Sequence, residues 1–182
     1  EGFSLVGAFA AIAVVQYTGG SVWAGLIGAM LIGTIYSALF ALFVTKFKAD
    51  NIIASIAMNT LGAGLTSYLL RAMFGVQGAY SPDQIHKLAM IHIPVITDIP
   101  ILNCISGQSI VTYFAIILIV VIYVMLFKTK MGLAICAVGE SEVAAKTAGV
   151  RPALIKWQVV LISGALSGLA GAYLSTISVS QF

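Results

Sequence analysis

The sequence predicts an all-α integral membrane protein, a polytopic bundle of about five helical spans or part-spans with one short helix outside the membrane. Hydrophobic residues make up 60% of the 182-residue chain and charged residues only 8%, whereas soluble domains are about 25% charged. The charges are also segregated, since residues 2–45, 51–70, 99–127 and 157–182 contain none. A bilayer core about 30 Å thick is crossed by about 20 apolar residues in a helix. The lipid bilayer is therefore the expected surrounding, and nothing in the charge pattern indicates a nucleic-acid partner.

The elements follow from these uncharged runs and their breaks. Gly19-Gly20-Ser21 divides the first run, so that it holds two helices. The predicted spans cover residues 3–17, 22–45, 52–74, 109–127 and 157–178. They form a single transmembrane domain over residues 1–182, interpreted as part of a longer protein. An outer loop over 75–108 and an inner loop over 128–156 connect the spans.

The positive charges predict which side each loop occupies. When the spans alternate in direction, seven of the nine Lys and Arg residues fall on one side, namely Lys46, Lys48, Lys128, Lys130, Lys146, Arg151 and Lys156. Lys and Arg concentrate in cytoplasmic loops, so the inner loop is expected in the cytoplasm. A structured, charged segment held between two spans suggests a partner in water.

The inner loop carries a complete helix signal. Ser141 suits an N-cap, Glu142 lies where the helix dipole favours negative charge, and Glu142 with Lys146 forms an i,i+4 pair. Gly149 stands where a left-handed residue ends a helix, and Pro152 suits the first turn of the next one. The predicted helix, residues 141–148, has about two turns and an alanine face. From the residues alone it is either a docking surface or a plain connector.

Polar groups inside the spans are few and neutral. The candidates for a translocation pathway are Ser55, Asn59, Thr60 and Gln16. Proton- or voltage-driven proteins usually carry ionisable groups within the membrane, and no complete span has one deep inside. Neutral amides and hydroxyls suit either a passage for a neutral polar solute or hydrogen bonds between helices.

Small residues recur at helix-packing spacing in two spans. Gly25, Ala29 and Gly33 form one stripe, and Gly164, Gly168 and Gly171 belong to another. Such stripes let helix backbones approach closely in lipid. They indicate either a partner interface or ordinary packing within the bundle.

No catalytic, metal or cofactor site is predicted. The chain contains no HExxH, no GxSxG and no GxxxxGK[ST] phosphate loop. His86 and His92 in the outer loop have no acidic or cysteine cluster beside them, so surface histidines are favoured over metal ligands. If ATP drives this protein, its hydrolysis belongs to a separate subunit.

The inner-loop segment KTKMGLAICAVGESEVAAKTAGV resembles the cytoplasmic loop of ABC importer permeases. The match is to the family that moves ribose and other simple sugars, nucleosides and branched-chain amino acids. The positions that carry it are Gly132, Ala137, Val138, Gly139, Glu140, Ala144, Ala145, Gly149 and Val150. Residues 1–9 are similar to the end of the family's NIGxEGxxLxGAF segment. Residues 48–71 are similar to a segment of its nucleoside and simple-sugar branch, with Asn51 in place of Gln.

The resemblance implies a permease subunit of an ABC importer for a nucleoside or simple sugar, in the plasma (inner) membrane of a bacterium, here without its N-terminal helices. It also implies three partners: a second permease subunit, cytoplasmic ABC ATPase subunits carrying ATP and Mg²⁺, and an external solute-binding protein. The residues implied in ATPase coupling are Gly139, Glu140, Ser141, Glu142, Ala144, Ala145 and Gly149. A branched-chain amino acid permease of the same fold and a secondary transporter or channel remain as alternatives.

Overall fold

The described part of the chain consists of helices joined by short turns. A computed structural model describes residues 1–19, 21–75 and 110–178. The helices are α1 (Gly2–Tyr17), α2 (Val22–Thr45), α3 (Asn51–Phe74), α4 (Ile110–Lys128), α5 (Lys130–Glu140), α6 (Glu142–Thr147) and α7 (Pro152–Tyr173). A π-helical segment, Leu174–Ser178, continues α7. The all-α, polytopic fold predicted from the sequence is confirmed.

Four helices are long and apolar enough to cross a membrane. They cover Val22–Thr45, Asn51–Phe74, Val111–Lys128 and Pro152–Thr176, while α1 is a shorter apolar helix of 16 residues. Apart from Gly75, the predicted outer loop lies outside the described residues, as do His86 and His92.

The core forms where α1, α2 and α7 meet, and glycines bring their backbones together. A Cβ atom on Gly7 would lie 2.5 Å from the Cα atom of Gly168, and one on Gly168 would lie 2.5 Å from the carbonyl oxygen of Ala29. A Cβ atom on Gly164 would lie 2.2 Å from the side chain of Ser37. Since real Cβ contacts are longer, only glycine permits this spacing. The small-residue stripes therefore pack the bundle itself.

Hydrogen bonds mark the two ends of the bundle. At one end the Nε1 of Trp157 donates to the Oγ1 of Thr45 at 2.7 Å. This end, where α2 stops and α7 begins, also carries Lys46 and Lys48 and is called the basic end below. At the opposite end the hydroxyls of Thr112 and Tyr173 are 3.2 Å apart. Spans that follow one another in the chain thus run in alternating directions between the two ends.

The inner loop differs from its prediction in two respects. Residues 130–140, expected as an extension of the loop, form the 11-residue helix α5. The last span begins at Pro152, five residues before the predicted start at 157, because Lys156 lies within the helix and was counted as a charge outside it. A lysine near a helix end keeps its ammonium group in water while its stem remains on the helix.

Candidate functional site

The sharp turn from α4 into α5 places the inner loop beside the bundle. The Oγ1 of Thr129 accepts the N–H of Gly132 at 3.3 Å and caps α5. A Cβ atom on Gly132 would lie 2.0 Å from the carbonyl oxygen of Leu126, so the turn requires glycine. Helix α5 then packs against α6 and α7, with Val138 buried at 7% exposure. Helix α5 therefore lies against the start of the next span before α6 begins.

Helix α6 has both of its predicted ends. The Oγ of Ser141 accepts the N–H of Ala144 at 3.3 Å, which supplies the N-cap. Gly149 has φ +82°, its N–H donates to the carbonyl of Lys146, and the N–H of Val150 donates to that of Ala145, both at 3.0 Å. This pair of bonds is the Schellman motif, which satisfies the last carbonyls of a helix. The two ends of this short helix are thus determined by residues within or next to it.

One of the seven coupling residues implied by the resemblance faces the protein rather than water. Six are exposed: Gly139, Glu140, Ser141, Glu142, Ala144 and Gly149. Ala145 is only 2% exposed, and its place under the helix makes it a packing residue. Val143, which the sequence analysis did not single out, is 74% exposed. A large apolar residue directly after the first, acidic residue of a capped helix is the signal that would have identified it.

The ionic partner of Glu142 is Lys156, not Lys146. The Nζ of Lys156 donates to the Oε1 of Glu142, although the two residues are 14 positions apart. That hydrogen bond, followed by the positive charges of Lys156 and Lys146, lowers the pKa of the Glu142 carboxyl below its ordinary value. The turn at Gly149 carries the start of α7 back over α6, so Lys156 makes the hydrogen bond, while Lys146, the predicted i,i+4 partner, acts on Glu142 only through its charge. Glu142 is consequently ionised at neutral pH and tied to the next span.

The three polar residues predicted on α3 do not share one face. Ser55 donates to the carbonyl of Asn51 at 2.6 Å and Thr60 to that of Ile56 at 3.0 Å. The Oδ1 of Asn59 instead accepts the backbone N–H of Gly2 at 2.8 Å. Consecutive residues of a helix are rotated by about 100°, so Thr60 lies to one side of Ser55 and Asn59. The structure gives Asn59 a packing contact with α1 in addition to its exposed surface.

A shallow groove runs along another side of α3. It is lined by Ala57, Thr60, Leu61, Gly64, Leu65 and Tyr68. These positions follow the i, i+3, i+4, i+7 spacing of a single helix face, and Tyr68 is 70% exposed. Thr60 is the only predicted pathway residue among them. No local sequence signal marks this face, because the exposed side of α3 is set by the helices that pack on its other sides.

Gln16 lies far from the other pathway candidates. Helix α1 starts beside Asn59 and continues toward the far end of α3, where Ala13 packs with Leu70. Gln16 is exposed in the last turn of α1, about 20 Å beyond Gly2 at 1.5 Å per residue. Among the described residues no group of three or more His, Cys, Asp or Glu side chains is placed to hold a metal ion.

Known proteins match this sequence over nearly its whole length. The family described as branched-chain amino acid transport system / permease component matches residues 1–182. The nucleoside ABC transporter permease protein NupC of Lactococcus lactis is 30% identical over 98% of this chain and 58% of its own length. The guanosine ABC transporter permease protein NupQ of Bacillus subtilis is 32% identical over the same shares. The putative glucose ABC transporter permease protein of Haloferax volcanii is 29% identical over 96% of this chain and 52% of its own length.

The chain thus spans somewhat more than half the length of these relatives, and no solved structure matches it. The family match covers every residue of the chain. The covered region includes the four helices long enough to cross a membrane and the capped helix α6 between two of them. The chain belongs to the family of branched-chain amino acid transport system permease components.

Proposed function

We propose that this chain is part of the permease subunit of an ABC importer that moves a nucleoside or a simple sugar across the plasma membrane. The observation that carries the proposal is α6, a short helix with defined ends held between two candidate spans. Glu142, Val143 and Ala144 are exposed on α6, and Glu140, the last residue of α5, is exposed just before it. A helix that is held in place yet exposed suits docking by a protein in water.

The energy source belongs to another chain in this proposal. Cytoplasmic ABC ATPase subunits bind ATP and Mg²⁺ and dock on α6. When these subunits close on ATP, the movement is transmitted through α6 to the membrane-spanning helices. A second permease subunit, identical or paralogous, completes the passage, and an external solute-binding protein delivers the solute. The basic end of the bundle faces the cytoplasm, as the positive-inside rule predicts. The permease itself supplies no catalytic residue and binds no cofactor.

A neutral polar solute fits the character of α3. Along its middle, from residue 55 to residue 68, its exposed polar groups are hydroxyls and one amide, those of Ser55, Asn59, Thr60, Ser67 and Tyr68. Hydroxyl and amide groups pair with the hydroxyls of a sugar or ribose, and an exposed tyrosine ring offers a surface on which a base can stack. Two of the similar proteins are named for nucleosides and a third for glucose. The family description supports branched-chain amino acids as the second candidate substrate class.

Uptake assays test both the class of transporter and the substrate. Cells or proteoliposomes carrying the whole permease with its ATPase and binding protein are given labelled adenosine, ribose or leucine. We expect uptake of adenosine or ribose, and we expect an ATPase whose phosphate-loop lysine is replaced to abolish it. Leucine uptake alone would establish the second substrate class. Undiminished uptake with the inactive ATPase would make the protein a secondary transporter or channel.

A further inference from the structure

Lys156 joins two helices that the chain would otherwise connect only through a turn. Its ammonium group bonds the carboxylate of Glu142, the first residue of α6, while Lys156 itself lies near the start of α7. The side chains of Lys156 and Glu142 are 39% and 49% exposed. The contact therefore lies at the surface, beside the helix surface assigned above to the ATPase.

The segment between the two helices has little freedom of its own. Gly149 holds φ +82° in the Schellman turn, and Pro152 begins α7 with its φ fixed by the ring. Ala145 is buried beneath α6 at 2% exposure. The ion pair adds a further attachment between α6 and α7. Together these contacts restrict rotation of α6 about the axis of the turn.

The residue after Lys156 connects the same helix to α2. The Nε1 of Trp157 donates to the Oγ1 of Thr45 at 2.7 Å. Farther along, Gly164 and Gly168 bring α7 into backbone contact with α2. A displacement of α6 that is carried into α7 consequently reaches α2 as well.

We propose that Lys156 is a positioning residue, which clamps α6 to α7 so that a motion imposed on α6 reaches the paired helices α2 and α7. The transmission half of this inference rests on the proposed function, whereas the clamp itself does not. Surface ion pairs contribute little to folding stability. The role assigned to this pair is therefore the orientation of α6, and its loss should be visible in geometry and coupling before it is visible in stability.

The clamp is tested by distance measurements in the assembled transporter. Spin labels are placed at the exposed positions of Thr147→Cys and Gln158→Cys, with Cys104 and Cys136 replaced by serine. Lys156→Met removes the ion pair, Lys156→Arg retains it, and Lys146→Met removes a neighbouring exposed cation as the matched control. Electron paramagnetic resonance gives the distance distribution between α6 and α7, and solute transported per ATP is measured on the same samples.

We expect Lys156→Met to broaden the distance distribution and to lower the transport-to-ATP ratio about two- to fivefold, the range that surface ion pairs support. Lys156→Arg and Lys146→Met should resemble the parent in both measurements. The clamp is overturned if Lys156→Met leaves the distribution unchanged, or if Lys146→Met broadens it equally. A broadened distance distribution with an unchanged transport-to-ATP ratio would show that Lys156 orients α6 but does not transmit its motion. If uptake by the parent is independent of ATP, the proposed function and the transmission fail, while the distance data still decide the clamp.

Discussion

At the scale of single residues, the bundle depends on positions where no side chain can be accommodated. Gly171 is the most constrained of those in the core, because a Cβ atom there would lie 1.9 Å from the carbonyl oxygen of Ser4. Among the described residues, no atom outside the local backbone of α3 lies within 4 Å of a hypothetical Cβ on Gly64. Both are helical glycines, so they differ in surroundings rather than in backbone conformation.

Gly171→Ala should destabilise the protein by about 1–3 kcal/mol, since the new methyl group forces backbone to move. Gly64→Ala is the matched control and should raise stability slightly, by about 0.5–1 kcal/mol, because alanine is the better helix former. Thermal unfolding in detergent measures both changes. Equal midpoints for the two variants would contradict the packing described for α1 and α7.

The Glu142 carboxyl sets the pH range over which α6 stays attached to α7. Its pKa is lowered in the folded protein by Lys156, so its stabilising contribution is present above the ordinary glutamate value. That contribution is lost as the pH falls through the lowered pKa. The distribution of distances between labels on α6 and α7 should therefore stay constant from about pH 8 to pH 5. It should broaden only below about pH 4.3, the unperturbed glutamate pKa. Broadening near pH 6 would show that another group controls the attachment.

At the scale of elements, α3 presents two different sides to its surroundings. Asn59 contacts the start of α1, whereas Thr60 and Tyr68 line the open groove. Loss of the amide affects helix packing first, and loss of a groove hydroxyl affects only what occupies the groove. The two sides can be separated by measuring stability and transport on the same variants.

Tyr68→Phe and Thr60→Val should raise the KM for uptake without shifting the unfolding midpoint, because the Tyr68 and Thr60 side chains are exposed in the groove. Asn59→Leu should lower uptake and also lower the midpoint, since it removes the acceptor of the Gly2 N–H. Normal uptake in Asn59→Leu would restrict this residue to packing. A fall in the midpoint of Tyr68→Phe would place its hydroxyl in the core.

Helix α6 depends on Gly149 for its end. Proline cannot adopt a positive φ and has no N–H, so Gly149→Pro removes both the turn and its bond to Lys146. Glu140→Lys reverses a charge on the exposed surface and leaves the turn intact. We expect both variants to insert normally and to hydrolyse ATP without matched uptake, as measured in proteoliposomes. Unchanged uptake in both would refute docking at α6.

At the scale of the whole molecule, the proposed orientation places the basic end in the cytoplasm. Lys146→Cys, in a background without other cysteines, should react with a membrane-impermeant maleimide only after the cells are opened. A cysteine in place of exposed Tyr17, at the opposite end of the bundle, is the control and should react in intact cells. Labelling of residue 146 from outside would invert the topology and remove the docking site.

The sequence predicts this fold wherever one local rule decides the outcome. Uncharged runs predict the helices because lipid excludes charge, and Ser141 with Gly149 predicts α6 because caps act over a few residues. Contacts between distant positions were missed, such as Lys156 with Glu142, because they depend on how α7 leaves the turn. The groove on α3 was missed for the same reason, since the choice of the covered face is made by α1 and α2. Helix α5 went unrecognised because charges and glycines surround its short apolar pattern.

The glycine contacts between α2 and α7 determine which helices of this bundle move together. Backbones that meet at Gly33, Gly164 and Gly168 leave no side chains to reorient, so the two helices travel as one piece. Helix α4 is different, because none of its 18-residue apolar window is buried among the described residues. Among the described residues, a displacement of α2 is therefore passed directly to α7 through backbone contact, and α4 has no comparable contact with this pair.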